Sequence, residues 1–310
     1  HADDAARALL QRGAAEGQAG RSAEAARDYD AARLRAERSG DRASLGKALV
    51  ASGYLHYYPG EMNDALVKLQ RGYDIARERG DAAAQRTALD AIAHVYADPI
   101  VAEYDRAIEY YRQVLPQYEA SGPPTEAADA LFNLGSTYER KGDLAAALDW
   151  YRRALAAEEK LGRTSEAAVV KRSIATTLGK LGRNAEALPL LEEALRTFVA
   201  SDNQESAMHA RQSRGIVHRR MGNTVAAIAD LEATRAWFAQ QKNTRFLEKT
   251  EEELALAYSA AGRWREAYDA RTRHATLQRE LAEKLREEHS SRLRVQFDTE
   301  KKEQENRALL

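Results

Sequence analysis

The chain has 310 residues, with 47 Lys plus Arg against 48 Asp plus Glu and a formal charge of −1, so net charge draws it to neither nucleic acid nor an anionic membrane. Charged residues make up 31% and hydrophobic residues 44%, at a mean hydropathy of −0.63; no uncharged apolar run reaches 18 residues, which excludes membrane insertion by this segment, and the Ala, Leu and aromatic content excludes a disordered chain. There is no Cys, which removes disulfides, thiolate zinc sites and thiol nucleophiles together.

In chain order, the strongest signal is a repeat. Turn glycines stand at Gly20, Gly60, Gly142, Gly182, Gly222 and Gly262, and an Ala follows each by five residues: Ala25, Ala65, Ala147, Ala187, Ala227 and Ala267. The 82-residue step from Gly60 to Gly142 hides one more copy, marked by Ala107, whose turn is lengthened at Asp98-Pro99-Ile100-Val101. Seven residues before each turn comes a small residue: Gly13, Gly53, Ala93 (before the lengthened turn), Gly135, Ala175, Gly215 and Ala255. A bulky residue follows that Ala by four at Tyr29, Leu69, Tyr111, Tyr151, Leu191 and Leu231, with Arg271 breaking the series.

This spacing predicts a helical hairpin used seven times. The small residue lets the two helices approach, the Gly ends helix A at positive φ, and the Ala faces helix A where nothing larger fits. The bulky residue is expected to fill space toward the next hairpin. One hairpin cannot bury its own apolar face, so the copies stack as a solenoid.

The copy running Leu131-Phe-Asn-Leu-Gly135-Ser-Thr-Tyr138-Glu-Arg-Lys-Gly142-Asp-Leu-Ala-Ala-Ala147-Leu-Asp-Trp-Tyr151-Arg-Arg-Ala154 resembles the tetratricopeptide repeat family in its spacing of Leu, Gly, Tyr, Gly, Ala, aromatic and Ala. The resemblance extends over about residues 6–274, with a 40-residue period in place of the usual 34. The extra length is expected in longer B helices with polar ends such as Arg38-Ser-Gly-Asp41. The predicted fold is all-α, a right-handed α-solenoid of seven tetratricopeptide-like hairpins over residues 1–274, followed by a long C-terminal output or juxtamembrane helix over 275–310.

That last segment has no Gly or Pro from Arg263 to Leu310, so helix B of the seventh hairpin is free to continue for about 70 Å at ~1.5 Å per residue. Leu277, Leu281 and Leu285 form an i, i+4 stripe that Leu293 and Phe297 resume. We expect Leu277, Leu281, Leu285 and Phe297 to pair two copies of the chain, although their four-residue steps drift from a coiled-coil period. The stretch from Arg294 to Leu310 is similar to linkers that follow repeat arrays in bacterial membrane signalling proteins. That resemblance implies an extracytoplasmic, periplasmic sensor region ahead of a transmembrane helix and a GGDEF diguanylate cyclase or a histidine kinase. The absence of an initiator Met before His1, and a C-terminus in mid-pattern at Arg307-Ala-Leu-Leu, fit the expectation of a processed or excised segment.

No catalytic signature occurs: no G-x-S-x-G, H-E-x-x-H, Walker loop, G-x-G-x-x-G or GGDEF string. The segment is expected to be non-catalytic, to need no cofactor and to hold no metal, since no two of its seven His have i, i+4 spacing. His56 and His218 occupy the repeat position of Tyr138 and Tyr258, where packing is the expected role. Binding is expected on the inner wall formed by the A helices. In the register of Gly135 that wall carries Tyr54, Tyr57 and Tyr58 in the second copy, Asp90 and His94 in the third, and Phe132, Asn133 and Arg140 in the fourth. The fifth contributes Arg172 and Lys180, and the sixth His209, Gln212, Arg219 and Arg220. Aromatic rings toward one end suit stacking, and arginines toward the other suit carboxylate or phosphate. The expected ligand is a protein, a peptide or a small anion, read chiefly through Tyr54, Tyr57, Tyr58, His94, Asn133, Arg172, Lys180 and Arg219. The family's carboxylate clamp of paired Lys and Asn is not reproduced. A soluble cytoplasmic scaffold or adaptor would use the same wall without an output domain.

Overall fold

The computed structural model describes residues 2–55, 62–99 and 101–308, and side chains over 4–55, 64–99, 101–287 and 290. Among the described residues there are fourteen α-helices and no strand. The chain divides into two compact units, residues 1–143 and 144–310. The first holds α1 (Ala2–Gln18), α2 (Ser22–Ser39), α3 (Arg42–Leu55), α4 (Met62–Glu78), α5 (Ala82–Ala97), α6 (Tyr104–Ser121) and α7 (Pro124–Lys141). The second holds α8 (Leu144–Leu161), α9 (Thr164–Lys180), α10 (Asn184–Ala200), α11 (Gln204–Arg220), α12 (Thr224–Gln240), α13 (Thr244–Ala260) and α14 (Trp264–Ala308). Within each unit, helices consecutive in sequence pack side by side, and α3 also meets α5 as α9 meets α11. This is a tetratricopeptide-like α-solenoid.

The turns explain the rhythm. At Gly142 the backbone takes φ 94° and the following Asp143 N–H reaches back to the Tyr138 carbonyl at 3.0 Å, the hydrogen bond that closes a helix in the left-handed conformation. The same positive φ recurs at 162, 182, 202, 222, 242 and 262, so from the fourth hairpin onward both ends turn alike, every 20 residues, whereas the third ends at Gly122 in extended backbone. Two of these places hold Asp202 and Lys242 rather than Gly, each at φ 54°. The expectation of longer B helices is therefore corrected: α9 and α10 have 17 residues each, and the added length is shared equally between A and B.

Core packing follows the small positions. Ala25, Ala65, Ala107, Ala147, Ala187 and Ala227 are completely buried. A Cβ placed on Gly53 would stand 2.8 Å from Leu69 Cγ, and one on Gly215 would stand 2.9 Å from Leu231 Cγ, inside any tolerable contact. The bulky residue thus covers the small residue of its own hairpin, correcting the expectation that it points to the next one. The reach toward the next hairpin comes seven residues later. Phe198 of α10 packs on Ala207 and Ala210 of α11, and Phe238 of α12 stacks on Phe246 of α13 at 5.3 Å between ring centres. On α14 that place is taken by Gln278, which is exposed, and Tyr268, where α12 buries Ile228, is 73% exposed.

α14 runs unbroken for 45 residues, through the expected boundary at 274/275. Its first turns close the seventh hairpin on α13, where Arg273 Nε donates to Glu251 at 2.8 Å. Leu277 and Leu281 are half-buried and Leu285 is 64% exposed. The side chain of Phe297 lies outside the described residues. No helix among the described residues is long and apolar enough to cross a membrane.

Candidate functional site

In the first unit, α3 and α5 run alongside each other with small residues between them, and the gap is a cleft of about 480 Å³. Its walls are the inward positions of two successive A helices: Lys47, Val50, Ala51 and Tyr54 from α3, and Thr87, Asp90 and Ala91 from α5. Ala83 and Ala84 continue the apolar floor at the start of α5. The run Ala82-Ala-Ala84 keeps that floor open because no side chain reaches across it. Asp81 fixes where α5 begins, its carboxylate accepting the Ala84 N–H at 3.0 Å.

At one end of the cleft the polar groups converge. Tyr54, 49% exposed, meets the His94 ring edge-on at 6.1 Å, and His94 meets the buried Tyr111 in the same way at 5.7 Å. The Asn133 amide of α7 lies 3.2 Å from His94 Nε2, and Asp90 Oδ2 lies 3.6 Å from the same nitrogen. Arg140 of α7 donates to the Ala97 carbonyl at 2.9 Å, satisfying an acceptor in the last turn of α5. Burial, reinforced by Glu126 and Asp129 of α7, pushes the Asp90 carboxyl up to about 7. Burial and the Arg140 charge hold the His94 imidazole below its ordinary value. The Tyr54 phenol is raised by burial and then by Asp90. The site therefore offers an aromatic edge, an apolar floor and a carboxyl that is half-charged near neutrality.

Of the residues expected to bind, Tyr54, His94 and Asn133 come together here, with Asp90. Tyr57 and Tyr58, like His56, lie outside the described residues. Arg172, Lys180 and Arg219 belong to the second unit. There the sixth-copy residues are committed within the fold. Arg219 Nε donates to the buried Glu253 at 2.5 Å, and Lys249 Nζ approaches the same carboxylate at 3.2 Å. Arg220 donates to the Gly179 carbonyl at 2.6 Å, in the same way as Arg140 to Ala97. Gln212 bridges to the Phe246 carbonyl and the Thr250 hydroxyl of α13, at 2.9 and 2.7 Å. Arg172 acts on His209, whose imidazole is lowered first by burial and then by that charge. Arg219 and Arg220 of the expected basic wall thus pair with groups of the neighbouring hairpins. Lys180 is exposed at the last residue of α9.

Lys47, Val50, Ala51 and Thr87 were not singled out in the sequence. Their signal was present, since they stand at the same offsets from Gly53 and Ala93 as the inward positions stand from Gly135. Among the described residues no group of three or more His, Asp or Glu is placed to hold a metal ion.

Models of the tetratricopeptide repeat match residues 81–160 and 173–239. No curated protein matches the sequence. Among solved structures, the chain is similar to a STAND signal-transduction ATPase with a tetratricopeptide repeat sensor from Pyrococcus horikoshii. That likeness has a TM-score of 0.75 at 17% identity, covering 92% of this chain and 44% of that protein. It is similar to the apo form of RapI, with a TM-score of 0.70 at 17% identity over 90% of this chain and 99% of the other. It is also similar to the Rap conjugation gene regulator of plasmid pLS20 in complex with the Phr* peptide, with a TM-score of 0.58 at 16% identity over 87% and 74%. At these identities the likeness establishes the fold alone.

Proposed function

We propose that this chain, a tetratricopeptide repeat array over residues 81–160 and 173–239, is a non-catalytic binding module that receives a peptide, or an extended segment of a partner protein, in the cleft between α3 and α5. The observation that carries this reading is the cleft itself: about 480 Å³, walled by inward A-helix positions, apolar along Val50, Ala51, Ala84 and Ala91, with Tyr54 and Asp90 as well as Lys47, Asp81 and Thr87 on its walls. That is the size and character of a ligand site. A Rap regulator of similar fold has been solved with a peptide, which supports the choice of a peptide over a metabolite.

The reading extends to signalling. The module serves as the extracytoplasmic sensor region of a membrane-bound bacterial protein with a diguanylate cyclase or histidine kinase output, and α14 is the rod that carries its state outward. What supports this is the continuity of α14, one helix from the last hairpin through Ala308. Two copies would pair along Leu277, Leu281, Leu285 and Phe297, a stripe on which Leu285 is 64% exposed.

The test is a randomised peptide display library panned on the immobilised chain, with Ala51→Arg as the counter-selection target. Enrichment on the wild-type chain that is lost on Ala51→Arg, at unchanged circular dichroism, is the expected result. Equal enrichment on both, or none on either, overturns the cleft as the binding site.

A further inference from the structure

Asp90 stands on the wall of the cleft with its charge unanswered by the groups around it. Its nearest basic nitrogen is His94 Nε2 at 3.6 Å, beyond hydrogen-bond length. That nitrogen is also shared with the Asn133 amide nitrogen, which lies closer at 3.2 Å. From α7, Glu126 and Asp129 bring more negative charge, and from α6 the Tyr118 phenol adds a neutral group. Arg140 is spent on the Ala97 carbonyl, and Arg86 of α5 lies over the Tyr118 ring at 5.9 Å. On α3, Lys47 is exposed on the wall of the same cleft, and Tyr54 presents its ring. A half-buried carboxylate with this surrounding is held more firmly as an anion when a cation is supplied beside it.

We propose that the cleft takes the side chain of a lysine in the bound peptide, its apolar stem lying along Val50, Ala51 and Ala91 and its ammonium pairing with Asp90 beside the Tyr54 ring. This rests on the peptide reading of the cleft and names the residue that the cleft selects. Lysine supplies the longest apolar stem that ends in a cation, which matches an apolar wall leading to Asp90, the cleft's other carboxylate, Asp81, being engaged by the Ala84 N–H at the start of α5. The Tyr54 ring adds attraction for a cation. The raised Asp90 carboxyl agrees with the geometry, since an arriving ammonium would return it to the charged form.

The test uses three small probes followed by ligand-observed NMR titration: N-acetyl-lysine methylamide, N-acetyl-norleucine methylamide, which has a comparable apolar stem without the ammonium, and norleucine methylamide with a free α-amine. The lysine probe should bind about tenfold more tightly than acetyl-norleucine, and Asp90→Asn should abolish that advantage while leaving acetyl-norleucine unchanged. The free-amine probe should gain nothing over acetyl-norleucine. Should it gain as much as the lysine probe, the cleft reads a peptide's N-terminus, and lysine selection is wrong. Equal binding of lysine and acetyl-norleucine overturns the inference and leaves the cleft reading standing, whereas no binding by any probe overturns both. If Asp90→Asn does not fold, wild-type titrations at pH 5.5 and 8.5 replace it. The lysine ammonium stays charged across that range, so its advantage should grow with pH as Asp90 ionises, and a constant advantage overturns the proposal.

Discussion

Arg214 of α11 grips Asp230 of α12 with Nε and one Nη, each at 2.7 Å, and Arg12 of α1 holds Asp28 of α2 through the same two nitrogens. Each Arg precedes the small residue of its hairpin by one, and each Asp follows the Ala after the turn, Ala25 or Ala227, by three, so this is one device used in two copies. Asp230 is buried, and its removal leaves a guanidinium without its fork partner. Asp230→Ala should cost about 2–3 kcal/mol in thermal or urea unfolding, and Arg214→Met with Asp230→Leu should recover much of it.

Gly215 and Gly17 should respond oppositely to the same substitution. A methyl on Gly215 meets Leu231 Cγ at 2.9 Å, so Gly215→Ala should destabilise by about 1–3 kcal/mol, with partial relief from Leu231→Val. At Gly17 the nearest atom is Ala25 Cβ at 3.9 Å, an ordinary contact. There helix propensity decides, and Gly17→Ala should stabilise by about 0.5–1 kcal/mol. Paired melts of the two variants check the hairpin register.

Arg219 offers a test of what the sixth-copy arginines do. If its charge were reserved for a ligand, removing it would leave stability within about 0.5 kcal/mol of the parent. Because Glu253 is buried beneath it, Arg219→Ala should cost on the order of 2–3 kcal/mol, reduced because Lys249 remains beside the carboxylate. Equilibrium unfolding distinguishes the two.

Asp90 predicts a signed pH dependence. Its carboxyl is raised to about 7 in the folded chain from an ordinary value near 3.8. Between those values the folded state holds the proton more firmly than the unfolded chain does, so its contribution to stability falls as pH rises from about 4 to 7. Asp90→Asn removes this slope. The variant should match the parent near pH 4 and exceed it at pH 8 by on the order of 2 kcal/mol, read as the difference between their melting curves.

Pairing along α14 predicts a concentration-dependent mass. The parent chain should sediment as a dimer at high micromolar concentration, and Leu285→Lys, which alters an exposed residue, should shift it to monomer without changing the melt. A monomer in both cases removes the dimer.

Much of the architecture was written in positions that admit few side chains. The Ala and Gly of each hairpin, such as Ala227 and Gly215, tolerate nothing larger and so repeat visibly. The B-end turns were harder to see because Asp202 and Lys242 adopt the positive φ that Gly162 adopts, and glycine spacing alone passes over them. The destination of the bulky residues was misread because Leu69 and Phe198 look equivalent as apolar residues, and only their height along the helix decides which neighbour they meet. At the site, Tyr54, His94 and Asn133 could be placed by register. The commitment of Arg219 to Glu253 and of Arg220 to Gly179 depends on what the adjacent hairpin presents at the same height, which a single copy's pattern does not carry.

The exposed Gln278 and Tyr268 on α14 bear on what kind of object the molecule is. A stack of near-identical hairpins has every ingredient of an open-ended polymer, because any terminal hairpin that kept an aromatic where Phe198 and Phe238 sit would offer the next chain a ready seat. An amide in that place withholds the seat. Restoring it with Gln278→Phe should therefore convert a discrete particle into one that adds copies end to end, visible as a ladder of sizes that lengthens with concentration.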